Sequence, residues 1–350
     1  MKIVVFLPNW IGDAVMATPA LAAIRNGYPA AEIVAVLRSY VGDVLTGTGL
    51  VDRVIEWNPG GENRADSGWR LARRLRRERF DVAVLMPNSL RSAWMAWLAG
   101  AGRRVGFDRD GRGWLLTDRL AAHPRRTPRP VLNDYLKLAT HLGCRDLDPG
   151  MHLATTDEDE AAWDRERSAW AEHWGTRKYI CLNPGGAFGA AKHWPVESFA
   201  ELGNRMAVEL DRGVVVLCGP SEREIATEIA RRAGDPRVVS LAQAPLSLGL
   251  SKAAVRHAEA LVTTDSGPRH FAGAFAVPVL TLFGATHIAW SETGCVSAMH
   301  LQLQVDCGPC QKPVCPQGHH RCMQDLSPTM VFTALKQLLA YPVVETRRVA

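Results

Sequence analysis

Two Rossmann-like α/β domains facing a cleft are predicted for this 350-residue chain from three observations. Apolar runs of strand length alternate with helix-like stretches, which implies parallel βαβ units. The alternation occurs as two series, one in each half of the chain. Strands of the second series end at polar or glycine-containing turns, where open parallel sheets bind ligands.

In the first half, residues 2–7 (KIVVFL) form the first strand candidate, followed by a loop and the Ala-rich helical stretch 14–25. Residues 31–37 (AEIVAVL) and 81–86 (DVAVLM) repeat the strand pattern, with an Arg-rich helix between them. Residues 123–130, rich in Pro and Arg, read as irregular loop. The polar segment 157–174 has a helical pattern and is the candidate interdomain connection. In the second half the strand candidates are 179–183, 213–218, 260–264 and 279–283. They stop at Pro184–Gly189, at Gly219-Pro220, at Asp265-Ser-Gly-Pro and at Gly284 respectively. The expected division is an N-terminal domain over 1–155, a C-terminal domain over 156–328, and a helix with tail over 329–350. No solenoid-length repeat is evident.

Composition narrows the class. Apolar residues make up 47% and charged residues 22%, which excludes wholesale disorder. Uncharged apolar runs such as 214–218 are too short to span a bilayer. The N-terminus lacks the apolar stretch and cleavage site of a signal peptide, so a cytoplasmic protein is expected. Lys and Arg number 41 against 36 Asp and Glu, a mild net charge of +5. Six arginines, Arg70, Arg73, Arg74, Arg76, Arg77 and Arg79, fall within one ten-residue stretch. They read either as a solvated helix face or as a surface for phosphates or an anionic membrane.

Three loops carry candidate chemistry. The first, Pro8-Asn9-Trp10-Ile11-Gly12-Asp13, lacks the GxGxxG fingerprint of dinucleotide binding. Asp13 lies where a helix should begin, and reads as an N-cap or as a general base with access to the cleft. The second loop, 183–195 (NPGGAFGAAKHWP), joins glycines to Lys192, a point charge suited to phosphate. It is not a Walker A loop, because no Gly precedes Lys192 and His193 stands where a hydroxyl would hold Mg²⁺. A solvated Lys on a surface turn is the plainer reading. In the third loop, 263–270 (TTDSGPRH), Pro268 suits a first helical position with Asp265 or Ser266 as cap. The N–H groups at such a helix start favour an anion. Together the loops favour a nucleotide diphosphate.

The segments KIVVFLPNWIGDAVMATPAL, NPGGAFGAAKHWP and TTDSGPRHFAGAF resemble the ADP-heptose:lipopolysaccharide heptosyltransferases. Asn88-Ser-Leu-Arg-Ser92 and residues 102–116 (GRRVGFDRDGRGWLL) are similar to the heptosyltransferase II branch. The resemblance runs from about residue 1 to 340. It implies a GT-B fold and inverting transfer of L-glycero-D-manno-heptose from ADP-heptose to the heptosyl-Kdo inner core of lipid A. It implies that Asp13 is the catalytic base and Lys192 the donor-diphosphate lysine. Asp265, Ser266, Gly267 and His270 would form the donor loop, with Glu222 or Glu224 on the adenosine ribose. Arg91 and Arg112 match basic positions for acceptor carboxylates or phosphates. No cofactor is implied for catalysis, and a transient contact with the inner-membrane surface is implied for a cytoplasmic, peripheral enzyme. The competing readings are a related transferase with another nucleotide sugar or acceptor, and a zinc-containing nucleic-acid-binding protein. The glycine/lysine and Asp-Ser-Gly loops argue against nucleic acid as partner, because such binding leaves them without a role.

The resemblance assigns no role to Cys307, Cys310, Cys315 and Cys322. They contain one C-x2-C pair and are interspersed with His319 and His320. In a chain without a secretion signal such density reads as metal before disulfide, here a structural Zn site. Two disulfides and unligated thiols are the other readings. Cys144, Cys181, Cys218 and Cys295 are expected as small core residues. Trp163, Trp170 and Trp174 read as packing residues, as do Trp94 and Trp97, whose alternative is an acceptor- or membrane-facing surface.

Overall fold

The protein is described by a computed structural model, which covers residues 1–350 except 61–67, 125–126, 296, 341–343 and 350. Two residues of the Pro/Arg-rich loop and part of the C-terminal tail thus lie outside the described residues. The chain forms two compact units, Met1–Ala154 and Thr155–Ala350.

The first unit runs β1 (Lys2–Phe6), α1 (Ile11–Gly27), β2 (Glu32–Leu37), β3 (Arg53–Glu56), α2 (Gly68–Glu78) and β4 (Val82–Leu85). It continues through α3 (Leu90–Leu98), β5 (Arg103–Asp108), β6 (Asp118–Ala121) and α4 (Val131–His141). Its sheet is parallel, in the order β3-β2-β1-β4-β5-β6. β1, β2 and β4 are apolar on both faces because helices cover both sides. α1 packs with α4, and α2 with α3. α2 and α3 share one core cluster with Phe6, Val34, Val36 and Leu85. The edge strands β3 (RVIE) and β6 (DRLA) carry charges because they are covered less completely, so neither reads as an apolar run.

The second unit opens with α5 (Asp157–Ala169) and α6 (Ala171–Trp174), the polar segment expected between the domains. A capping box between Thr156 and Asp159 starts α5, which packs on α9 below. The series continues β7 (Tyr179–Asn183), α7 (Val196–Leu210), β8 (Gly213–Val216), α8 (Arg223–Ala233), β9 (Val238–Ser240) and α9 (Leu248–Arg256). It ends with β10 (Ala260–Thr264), α10 (Pro268–Ala274), β11 (Val279–Phe283), β12 (Ser297–Gln302), α11 (Arg321–Gln324), α12 (Pro328–Ala340) and β13 (Val344–Val349). The sheet order is β13-β12-β11-β10-β7-β8-β9, again parallel. α12 packs on α7, β11 and β12.

Both sheets reverse their direction of growth once, between β1 and β4 in the first and between β7 and β10 in the second. The strands on either side of such a point send their connections to opposite faces, which leaves a crevice at their carboxyl ends. Trp163 and Trp174 are buried, in ring contact with Tyr179. Trp94 and Trp97 are 43% and 45% exposed, so the core-packing expectation fails for this pair. Among the isolated cysteines, Cys144, Cys181 and Cys218 are buried and Cys295 only partly so.

Candidate active site

The two crevices carry different chemistry. In the first unit a cavity of about 290 Å³ opens at the carboxyl ends of β1, β4 and β5. Pro8, Asn9, Trp10 and Asp13 line it from the β1 side, Met86, Pro87 and Asn88 from β4, and Phe107 from β5. Asp134 and Tyr135 of α4 complete the wall. Asp13 occupies the first turn of α1, but the N-cap is Trp10, and its side chain makes no capping bond. The capping role read for Asp13 therefore falls away. The carboxylate is half-buried beside the cavity, and its charge helps push the buried Tyr135 hydroxyl well above the ordinary phenol range, after the larger effect of burial. Tyr135 thus stays a neutral hydrogen-bonding group at the wall. Neither Asp134 nor Tyr135 was singled out in sequence, because a polar pair within an amphipathic helix has no distinguishing spacing.

Arg91 and Arg112 part company. Arg91 is exposed on α3. Arg112 is fully buried, and its guanidinium donates to Phe107 O at 2.9 Å, Asn88 Oδ1 at 3.0 Å, Ser92 Oγ at 3.2 Å and Pro87 O. Burial lowers its pKa to about 10, so it remains cationic at neutral pH. The expectation that Arg112 meets the acceptor directly is corrected: it ties the β4 and β5 ends together and holds Asn88 at the cavity wall.

In the second unit the loop after β7 meets the loop after β10. Lys192 Nζ donates to Asp265 O at 2.8 Å and to Asp265 Oδ2 at 2.7 Å. Asp265 also accepts from Thr286 Oγ1 at 2.7 Å and Ser291 Oγ at 3.0 Å, with Arg269 at 3.7 Å. Burial pushes the Asp265 carboxyl up, but Lys192 and Arg269 outweigh it and hold the group well below the usual carboxylate range. Asp265 thereby holds Lys192 in place between the two loops. Removing either charge of so buried a pair would cost about 3–5 kcal/mol.

Asn183, the last residue of β7, donates to Thr263 Oγ1 at 3.0 Å and Ser266 Oγ at 2.7 Å. Thr264 Oγ1 donates to Gly185 O at 2.5 Å. These bonds lock the two loops together. The N-cap of α10 is Gly267 rather than Asp265 or Ser266, while Pro268 takes the first helical position as expected. His270 is buried, and desolvation, reinforced by Arg269, lowers its pKa to about 3, which leaves a neutral imidazole. Sequence reading missed Asn183, Arg269, Thr286 and Ser291 as structural partners of the donor loop. The last two lie beyond β11, over twenty residues from Asp265, and only the fold brings them near.

The two glutamates also separate. Glu222 Oε2 accepts from Gly219 N at 2.8 Å and lies against Gly185, where a methyl group would stand 2.2 Å from Glu222 Oε1. Glu224 is exposed in the first turn of α8. The glycines of the second loop are thus required by protein as well as by any ligand. Gly189 has φ +147°, and a methyl there would meet Pro313 O at 2.3 Å.

Pro313 belongs to the cysteine-rich segment. Ala191 N donates to Pro313 O at 3.0 Å, His320 Nε2 lies 3.0 Å from Ala191 O, and Gln311 N donates to Ala285 O at 2.8 Å. The segment 307–322 therefore braces the backbone that carries Lys192. Cys307, Cys310, Cys315 and Cys322 line one cavity of about 10 Å³ with His319 and His320. Among the described residues, however, no three His, Cys, Asp or Glu side chains stand in an arrangement that holds a metal ion.

Comparison with known proteins points the same way. The model of glycosyltransferase family 9 (heptosyltransferase) matches residues 68–320. Lipopolysaccharide heptosyltransferase 2 of Escherichia coli K12 is 27% identical over 352 residues, covering 97% of this chain and 99% of that protein. Lipooligosaccharide heptosyltransferase 2 of Haemophilus influenzae is 27% identical over 354 residues, covering 97% and 100%. The solved structure of the E. coli ADP-heptose lps heptosyltransferase II superimposes with TM-score 0.78 at 26% identity, covering 97% of this chain and 99% of that one. The fold is GT-B, two Rossmann-like sheets in one chain.

Proposed function

The chain belongs to glycosyltransferase family 9, and from that premise we propose that it transfers L-glycero-D-manno-heptose from ADP-heptose to the heptosyl-Kdo inner core of lipid A. The observation that carries this reading is the division of charge between the two crevices. A carboxylate, Asp13, lines one, and at the other Lys192 and Arg269 together outnumber the carboxylate set between them, Asp265. The first unit then receives the acceptor and the second the ADP-sugar.

Asp13 takes the proton of the acceptor hydroxyl as that oxygen forms its bond to the anomeric carbon. The bond from that carbon to the ADP oxygen breaks on the opposite face, so the configuration inverts. Negative charge develops on the departing diphosphate and falls to Lys192 and to backbone N–H groups of the Gly185–Lys192 loop. Ser266 and Gly267 are assigned to the same donor loop, Glu222 or Glu224 to the ribose, and neutral His270 offers a hydrogen bond. Arg91 remains the exposed cation for acceptor carboxylates or phosphates.

The acceptor is lipid-anchored, so the enzyme would work from the cytoplasm at the inner-membrane surface. Among the described residues no helix is long and apolar enough to cross a membrane. A structural Zn held by Cys307, Cys310, Cys315 and Cys322 belongs to the same proposal. The small cavity that the four cysteines line with His319 and His320 supports it.

Incubating the full chain with ADP-heptose and a one-heptose core acceptor, alongside a panel of other nucleotide sugars, tests the reading. A product heavier by one heptose is expected with ADP-heptose alone. Transfer from a different donor, or to a core lacking the first heptose, would replace it with the related-transferase reading.

A further inference from the structure

Helices α2 and α3 cover the same face of the first sheet, because both pack into the cluster containing Phe6, Val34 and Leu85. Their outer sides therefore look away from the sheet together. α3 buries Ser92, Ala93, Met95 and Ala96, and exposes Leu90, Arg91, Trp94 and Trp97. The rings of Trp94 and Trp97 lie 5.3 Å apart, and that of Trp114 lies 5.9 Å from Trp94. Trp114 is 62% exposed. Single exposed aromatics are ordinary, whereas three surface indoles joined through Trp94 call for a partner.

The partner is defined by what lies beside them. α2 buries only Leu71, Ala72 and Leu75, and exposes a row of arginines that includes Arg70, Arg73 and Arg77. Arg76 reaches the end of α3, where its Cγ would lie 3.9 Å from a methyl group on Gly100. The patch also borders the acceptor cavity. Asn88 of the cavity wall precedes Ser89, the N-cap of α3, and Arg112, two residues before Trp114, holds Asn88.

We propose that this α2–α3 face docks on an anionic lipid bilayer, with the three indoles in the interfacial zone and the α2 arginines against headgroup phosphates. Indole rings are amphipathic and settle at the depth where headgroup meets chain. Guanidinium groups at the same depth gain from negative surface potential. A second copy of the chain would bring like charges together, since α2 carries one acidic residue, Glu78, and that residue is bonded to Lys2 and Arg53. The inference rests on the lipid-anchored acceptor of the proposed function. It specifies which surface brings the acceptor cavity to the membrane.

Co-sedimentation of the full chain with phosphatidylcholine vesicles, with and without phosphatidylglycerol, tests it independently of transfer. Binding is expected only with the anionic lipid, weakening as salt is added. The variant W94A/W97A/W114A should bind roughly tenfold or more weakly. Its melting temperature and its turnover of a delipidated, water-soluble acceptor should match the wild type. R73Q/R77Q should weaken binding while keeping the fold. Equal binding of wild type and both variants, or binding indifferent to phosphatidylglycerol, overturns the proposal. So does a wild type that dimerises through this face in sedimentation analysis. Failure of heptose transfer with vesicle binding intact would refute the proposed function and leave this surface standing.

Discussion

Asp13 illustrates how little of a residue's role its neighbours in sequence decide. Its position at a strand-to-helix turn suits a cap as well as a base, and the observed N-cap at Trp10 removes the first reading. A carboxylate in the first turn of a helix contributes only about 0.3–1 kcal/mol through the helix dipole. Asp13→Ala should lower kcat by roughly 10²–10⁴-fold, with ADP affinity retained. Parallel loss of stability and turnover would return Asp13 to a structural role. Arg112 and Asp265 show the opposite outcome. Both were legible as functional-type residues, but whether their charge faces a ligand depends on partners distant in sequence. Arg112 is enclosed by β4 and β5 backbone, and Asp265 is held by Lys192, Thr286 and Ser291.

Among the elements, most central strands were readable because two covered faces demand an unbroken apolar run. The interior β5 (RRVGFD) and β12 (SAMHLQ) carry polar residues and were not. Nor were β3 and β6, since these short edge strands carry charged residues as loops do, and β9 is only three residues long. The cysteine-rich segment was legible as a cluster, but its attachment to the donor loop was not. That attachment is a backbone bond from Ala191 to Pro313, independent of residue type. If a metal knots the segment, elemental analysis of the full chain should find about one zinc per molecule. Cys310→Ser should then lose the metal and weaken ADP-sugar binding, because the brace behind Lys192 loosens. A metal-free wild type of undiminished stability and donor affinity would dismiss the zinc site.

Across the whole molecule, both units depend on titratable groups held off their ordinary pKa. In the first, hydrogen bonds from Arg53 and Lys2 lower Glu78 to about 2, and Arg103 lowers Asp118 to about 2. In the second, Asp265 is lowered by Lys192 and Arg269 against the effect of burial. Such carboxylates contribute stability above their unfolded pKa near 4 and lose it as pH falls toward their folded value. His270 and His300 act earlier. Burial lowers both below the ordinary imidazole value, so the unfolded chain takes up protons near pH 6.5 that the folded chain refuses. The urea midpoint should be constant above about pH 7 and fall below about 6.5. The slope should approach about 1.4 kcal/mol per pH unit for each histidine, steepening below about pH 4. Denaturation curves for wild type and His270→Gln between pH 8 and 3 check this. A wild-type midpoint unchanged down to pH 5 would contradict it.

The sequence by itself determined the fold class, most of the buried strands and the polar turns at their ends. Those features depend on local periodicity and on turn residues, which each stretch carries without reference to the rest of the chain. Tertiary structure alone decided which charges remain open to a ligand, which tryptophans face solvent and what the cysteine segment supports. Burial and pairing are properties of contacts between distant residues. The same Trp or Arg is core, scaffold or surface according to what the fold sets against it.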